Sequence, residues 1–481
     1  MKKLCILVCV AAMFATGCVG GKSDRLDVGG EGGALETYAE SYMPARNMLL
    51  GGMFDELAAK MRENAPDKDG TKLTDEEHKD KLVAQYSEIA LLERGLLTLN
   101  SGDYRRAIHF FDAAELKMEQ EESKGIASKG FSFMTKGAFT GLTGAEEASD
   151  YILRGYEKVM LYNYKALCYM LMGDRRAYNV TRRAIAKQQE EWEKFKTMVE
   201  KAKEEEEKRL AEKGGSAGSL ESGDTRDTYT KKKAESVSSA FVNPFADYVN
   251  GMIMEIDSLQ DRSLRDNAAL AYKKVLDNNP RCTVASQAHN QLRKGTPPTG
   301  RKMVQVILAD GFSPERKIQS STYRMGQLSA IVNFSQATPY PTPVTSAVAG
   351  GVALAPLSDM EAIILRDDLD SAPFRSLMFV SAAIRSGMAS YLGGHRLAEF
   401  TSKAQKPDTR SWLTLPSKML VARMYVPMGQ KQIELQTRNA SGRVVGKTVV
   451  PLAAKGVTVI YAVSYENQLR AYANSSSWLE Q

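Results

Sequence analysis

Histidine, cysteine and tryptophan are scarce in this chain, with four, five and three residues among 481. That scarcity narrows the chemistry. His78, His109, His289 and His395 are scattered, none with a second ligand at metal-binding spacing, so no metal site is expected. His78 and His109 read as solvent-facing, and only His395, after Gly393-Gly394, has a loop context suited to a role. Neither a His-Glu-x-x-His helix nor a Cys-x-x-Cys pair occurs. Cys5, Cys9 and Cys18 crowd the N-terminus, leaving Cys168 and Cys282, too few for a disulfide framework. Cys168 lies in an apolar helical run and reads as a small buried hydrophobe, while a bridge to Cys282 stays open. No charge sign dominates either: 64 Lys and Arg oppose 58 Asp and Glu, interleaved along the chain. No basic tract with aromatics argues for nucleic acid. These absences argue against ordinary catalysis, and no cofactor is expected.

The N-terminus stands apart. Met1-Lys2-Lys3 is a positive start, Leu4 to Phe14 an apolar core too short to span a bilayer, and Ala15-Thr16-Gly17 supplies small residues before Cys18. This resembles the bacterial lipoprotein signal, although Ala15 stands where leucine is usual. The resemblance implies a signal over 1–17, lipidation at Cys18 and a membrane-anchored mature chain. Val19 after the cysteine favours the outer membrane. Residues 18–33, rich in Gly, Ser and Asp, read as a flexible tether.

Residues 34–293 carry helical periodicity. A first helical stretch is expected from about Leu35 to Glu63, and another from Asp75. The clearest unit is Leu91 to Ala114, two amphipathic helices joined at Asn100-Ser101-Gly102-Asp103. Gly95 and Ala107 take the close-approach positions, Gly102 and Asp103 end one helix and cap the next, and Tyr104, Phe111 and Ala114 follow on the second. This order of small, aromatic and small residues resembles the tetratricopeptide repeat. Ala166, Tyr169, Gly173 and Asp174 repeat it, and Ala268, Tyr272 and Pro280 mark a third unit closed by proline. Two interruptions are expected: a Gly-rich insertion at 124–144, and a charged helical arm and linker at 182–228. Trp192, Phe195, Met198, Val199 and Ala202 form a partial apolar stripe on the arm.

From 301 to 470 the period changes to two. MVQVILADGFSPERKIQ reads as two strands about a turn at Asp310-Gly311, and Ile331 to Phe334 as a third. Asp359 to Leu392 reads as helical, with Met378 and Ala382 on one face. Strands at MLVARMYV, QIELQT, VVGKTVV and VTVIYAV make an antiparallel sheet or sandwich. The fold class is therefore α+β, a tetratricopeptide-like helical region followed by a mixed region with a β-sheet. GRVVGKT, Gly442 to Thr448, imitates a phosphate loop but has three residues between its glycines where four are needed, and reads as a hairpin turn. Asp367-Asp368 reads as a solvent or capping pair. In DTRSWLTLP, Asp408 and Arg410 pair across a turn, Trp412 is an apolar anchor and Pro416 precedes a strand. Buried, the segment locks helices to sheet; exposed, it is a binding hot spot.

The Leu91–Ala114 hairpin, Tyr164 to Asp174 with Arg182-Arg183, and Asn243-Pro244-Phe245 with Tyr248 and Gly251 resemble a family of bacterial lipoproteins with tetratricopeptide-like helices and a C-terminal β-containing region. Asp310-Gly311 to Pro314 and Asp408 to Trp412 with Leu415-Pro416 extend the resemblance. The family has no established activity, and the resemblance links the chain loosely to lipoproteins that activate penicillin-binding proteins. The expected function is a lipid-anchored envelope scaffold binding a protein or peptide through its repeats and insertions. The alternative is an envelope enzyme or accessory subunit acting on glycan, with carboxylates in 359–416.

Overall fold

The computed structural model describes residues 38–63, 72–126, 151–212, 227–295, 297–325, 328–371 and 407–475. Among the described residues the fold is mixed α+β, 53% helical and 23% strand, with all helices but one preceding the strands in the chain. No helix among the described residues is long and apolar enough to cross a membrane.

The stretch expected as one helix up to Glu63 is two, α1 (Tyr38–Leu50) and α2 (Phe54–Glu63). Gly52 breaks it at φ +74°, a backbone region open mainly to glycine. Helix α3 (Asp75–Gln85) starts from a capping box, Thr74 and Glu77 each satisfying the other's backbone N–H.

Three antiparallel hairpins follow. The first pairs α4 (Glu88–Asn100) with α5 (Tyr104–Ile126). The second pairs α6 (Gly155–Leu171) with the 37-residue α7 (Arg176–Glu212). After the short α8 (Thr228–Glu235), the third pairs α9 (Pro244–Ser258) with α10 (Arg265–Asn278), and α11 (Thr283–Lys294) packs on α10. The first two turns are built alike. The Gly102 amide donates to Leu99 O (2.9 Å) and the Asp103 amide to Thr98 O (3.2 Å); Gly173 donates to Met170 O (3.0 Å) and Asp174 to Tyr169 O (2.8 Å). Both glycines have positive φ, so each helix ends in a Schellman motif. Asp103 and Asp174 then accept from the amides of Arg106 (3.2 Å) and Arg176 (2.9 Å).

The small residues act as their spacing predicts. A Cβ on Gly95 would lie 2.6 Å from Phe111 Cε1, so the Phe111 ring fills the hollow that glycine leaves. Ala107 and Ala114 are buried beside it. Tyr104 is half-buried, edge-on to Tyr472 at 6.4 Å. In the third hairpin Ala268 and Tyr272 are buried, and Pro280 follows the end of α10. The charged helix read from Arg182 begins at Arg176. Trp192 and Phe195 pack on Phe241 at 6.2 and 4.9 Å. Beyond Phe195, the side chains whose burial is described, Lys196, Thr197, Glu200, Lys201, Glu204, Glu207 and Lys208, are all exposed.

Strand β1 (Arg301–Asp310) is buried along nearly its whole length, as a strand covered on both faces must be. The two strands read on either side of Asp310-Gly311 both form, but they do not pair with one another. β2 (Glu315–Met325) leaves to pair with β3 (Leu328–Thr338) in a separate ribbon. β1 pairs instead with β7 (Lys418–Pro427), antiparallel, and β10 (Val457–Tyr465), parallel. With β6 (Ala355–Asp359) and β11 (Gln468–Ser475) they form a sheet ordered β11-β10-β1-β7-β6. A second sheet, β5-β4-β8-β9, consists of β4 (Ser346–Ala349), β5 (Val352–Ala353), β8 (Gln432–Arg438) and β9 (Val444–Pro451). Gly442 sits in the turn before β9 at φ +79°, so the apparent phosphate loop is a hairpin turn. The helix expected from Asp359 is α12 (Met360–Asp370); Met378 and Ala382 lie outside the described residues.

Alternation along the strands sets up three layers. Val304, Val306 and Leu308 of β1, with Leu420 and Ala422 of β7, face Ala347 and Ala349 of β4 and Ile433 and Leu435 of β8. The opposite face, Met303, Ile307, Val421, Val459 and Tyr461, joins one hydrophobic core with the helices. Helices, five-stranded sheet and four-stranded sheet thus stack in that order, the last two as a sandwich. Asn100, the last residue of α4, stitches helix to sheet. It accepts from Tyr461 Oη (2.8 Å), meets Tyr465 Oη through its amide (2.8 Å), and its carbonyl accepts from Tyr472 Oη (3.0 Å).

Candidate functional site

The groove lined by α4, α5 and α6 holds an irregular piece of the chain's own C-terminal half. Trp412 is the largest fully buried side chain among the described residues. Its ring lies 6.3 Å from Phe111 and 5.8 Å from Tyr164, and its Nε1–H donates to Thr414 Oγ1 at 3.0 Å. Around the ring, two buried carboxylates take hold of the backbone. Glu93 on α4 accepts the Leu413 amide at 2.6 Å, the Thr414 amide at 3.0 Å and the Thr414 hydroxyl. Glu157 on α6 accepts the Trp412 amide at 2.9 Å, the Arg154 amide at 2.9 Å and the Tyr151 hydroxyl at 2.9 Å. Three consecutive amides with no strand partner are thereby satisfied by side chains, as a buried irregular segment requires.

The ends of the segment are fixed as well. Asp408 pairs with Arg410 at 2.8 Å, and the Arg410 guanidinium lies 5.3 Å from the centre of the Tyr151 ring. Ser313 Oγ donates to Trp412 O at 2.9 Å, and Pro416 precedes β7. Trp412 and Arg410 of DTRSWLTLP are thus buried between helices and sheet rather than exposed.

Glu93 has three donors but no cation bonded to it among the described residues. Burial therefore pushes its carboxyl up to about 8, the contacts to Thr414 and Leu413 opposing and the neighbouring Glu157 adding to the rise. Burial raises Glu157 too, against the pull of Arg154. Arg154 is itself shared with Asp367 at 3.2 Å.

Other polar groups on this interior are tied up in pairs. Arg423 of β7 meets Glu255 of α9 through Nε at 2.9 Å, and Tyr272 and Gln305 complete the carboxylate at 2.9 and 3.1 Å. Asp367 and Asp368, expected on a polar face, are both buried. Asp368 pairs with Arg316 at 2.8 Å; α12 packs between the helical and β parts and leaves neither residue in water. Glu122, Glu190 and Glu191 bring carboxylates within 4.8 Å of one another, but Lys158, Lys187 and Lys194 interleave with them. Burial raises Glu122, yet Lys158 and Lys187 hold it at about 2. The group is a charge-balanced clasp between α5, α6 and α7.

His78 and His109 are not solvent-facing. Their rings lie 4.6 Å apart, tilted by 34°, where α3 lies on α5, with His78 buried and the His109 side chain 13% exposed. Cys168 and Cys282 are both buried and free. Cys18, His395, Glu399 and most of the 124–144 insertion lie outside the described residues. So does Gly214-Gly215-Ser216-Ala217-Gly218, which has the Gly-x-Ser-x-Gly form of a nucleophile elbow but follows helix α7 where an elbow follows a strand.

No family model, curated protein or solved structure matches the chain.

Sequence reasoning passed over Glu93 and Glu157. For Glu93 the signal available was a charged pair, Glu93-Arg94, inside the largely apolar helical run ALLERGLL, where a charge needs a partner to be buried.

Proposed function

We propose that the chain is a lipid-anchored scaffold of the bacterial envelope that binds a protein or peptide partner. The signal-like N-terminus ending at Cys18 supports the anchor. Matching Schellman turns in two hairpins, with the recurring small, aromatic and Gly-Asp order, support a tetratricopeptide-like build. One observation bears most on where a partner docks: the groove of the hairpins is already filled by Asp408 to Pro416 and by the five-stranded sheet. Partner contact therefore falls to the outer surface. The exposed half of α7 is the best placed, because α7 is 37 residues long against 17 for its hairpin partner α6. At about 1.5 Å per residue its excess is a rod of roughly 30 Å.

Crosslinking in cells followed by mass spectrometry tests this reading, comparing the full chain with one in which Glu200, Lys201, Glu204, Glu207 and Lys208 are replaced by serine. A partner captured by the first and lost from the second is expected. An unchanged set of partners, or none, overturns the docking arm. For the anchor, Cys18→Ser with membrane fractionation should release the mature chain, and continued attachment counts against lipidation.

A further inference from the structure

Arg94 lies in the middle of α4 and is 1% exposed, one of the largest fully buried side chains among the described residues. Arginine keeps its charge in a protein interior, and burying that charge is costly unless an opposite charge and hydrogen bonds offset the lost hydration. Glu93, the preceding residue, does not offset it, because its oxygens face the groove and take the Leu413 and Thr414 amides. No carboxylate among the described residues pairs with the Arg94 guanidinium.

The groups that Arg94 does touch are soft. Its Cζ lies 4.3 Å from the centre of the Tyr86 ring, which covers one face of the guanidinium. Nη1 reaches Met61 Sδ at 4.0 Å, a weak acceptor at long range. Nε is buried without a hydrogen-bond partner, and Nη2 makes no hydrogen bond among the described residues. Nε and Nη2 form the side-on edge by which arginine grips two oxygens of one carboxylate or phosphate. The unpaired charge thus presents an edge suited to an oxyanion.

Met61 and Tyr86 come from two lightly held elements. Helix α2, which carries Met61 in its last turn, is ten residues long and joins α1 through Gly51-Gly52, with Gly52 at φ +74°. Helix α3, which ends at Tyr86, buries only His78 and Leu82. Methionine has three rotatable side-chain bonds and repacks readily, so a turn of the Met61 side chain opens a way to the guanidinium without unfolding either helix.

We propose that Arg94 anchors an oxyanion site between α2 and α3, in which a carboxylate or phosphate group displaces the Met61 thioether and accepts hydrogen bonds from Nε and Nη2. The site does not involve the α7 arm, so its test stands apart from the crosslinking.

That test is urea unfolding of the full chain at pH 7.5 in sodium chloride, sodium formate and sodium phosphate at equal ionic strength, for the wild type and for Arg94→Met. Methionine fills part of the space of the arginine stem and carries no charge. With a dissociation constant of about 10 mM, about 0.1 M of the effective anion should raise the wild-type ratio of folded to unfolded chain about tenfold beyond any change in Arg94→Met. General salt effects act on both chains and cancel in the comparison. A response to formate alone names a carboxylate ligand, and a response to phosphate alone names a phosphate. Independently of the variant, the wild-type Arg94 Nε–H resonance should shift as the same anion is added. Equal responses of the two chains to both anions overturn the site, as does a resonance that stays in place through both titrations.

Discussion

Replacing Glu93 probes the joint between helices and sheet more sharply than any other single change. Its carboxylate satisfies the amides of Leu413 and Thr414, both buried and both without another acceptor in that geometry. Glu93→Ala orphans the two amides, each at about 1–3 kcal/mol, so a loss of about 2–6 kcal/mol is expected in urea unfolding. Because Glu93 already holds a proton on one oxygen at neutral pH, Glu93→Gln, which keeps one acceptor and puts an NH2 group in place of the O–H, should cost less than Glu93→Ala, about 1–3 kcal/mol. The pH dependence carries the more specific signature. With its folded value at about 8 against 4.5 when free, Glu93 keeps a proton that the unfolded chain releases. Its contribution is thus complete below about pH 4.5 and lost as pH rises toward 8, by up to about 1.4 kcal/mol per unit within that window. Between pH 6.5 and 8 the wild type should lose stability faster than Glu93→Gln. Parallel curves for the two chains would refute a buried, proton-holding carboxyl, and a Glu93→Ala loss below about 1 kcal/mol would refute the grip itself.

Other substitutions follow from the same contacts. Gly95→Ala places a methyl 2.6 Å from Phe111 Cε1 and should cost about 1–3 kcal/mol by overpacking, read as a lowered urea midpoint. Gly102→Ala combines φ +88° with a Cβ 2.7 Å from Tyr472, so a loss of about 1–3 kcal/mol is expected on the same assay. Trp412→Ala empties the centre of the groove and should cost about 3–5 kcal/mol. Arg423→Ala should cost about as much, because it strands the buried Glu255 carboxylate, whereas replacing Arg423 and Glu255 together by Met and Leu should recover much of that loss.

Local chemistry was legible and long-range pairing was not. The turns at Gly102 and Gly173 were readable because glycine followed by aspartate encodes both a left-handed helix end and the next helix's cap within four residues. β7, β8, β9 and β10 were readable from alternation bounded by turn residues, whereas β11, QLRAYANS, is too polar to announce itself and is a strand because β10 offers it an edge. The two strands about Asp310-Gly311 were readable locally, but their partners were not. The outcome turned on β1 finding Val457 to Ser464 on one side and Lys418 to Pro427 on the other. His78 and His109 looked like surface residues on two polar helices until α3 lay across α5. The joint itself was hidden most deeply, since Glu93 and Leu413 are 320 positions apart. Trp412 could be recognised as an anchor, but nothing local showed that its own backbone would be the ligand.

Hydrogen–deuterium exchange at the amides of Trp412, Leu413 and Thr414 tests the central claim most directly, that the hairpin groove is filled from within by this segment. The three amides lie outside any helix or strand, so their protection reports only on Glu93 and Glu157. The account predicts exchange as slow as in the middle of β1, and faster exchange at Leu413 and Thr414 in Glu93→Ala. Exchange at the rate of an open loop in the wild-type chain would contradict it.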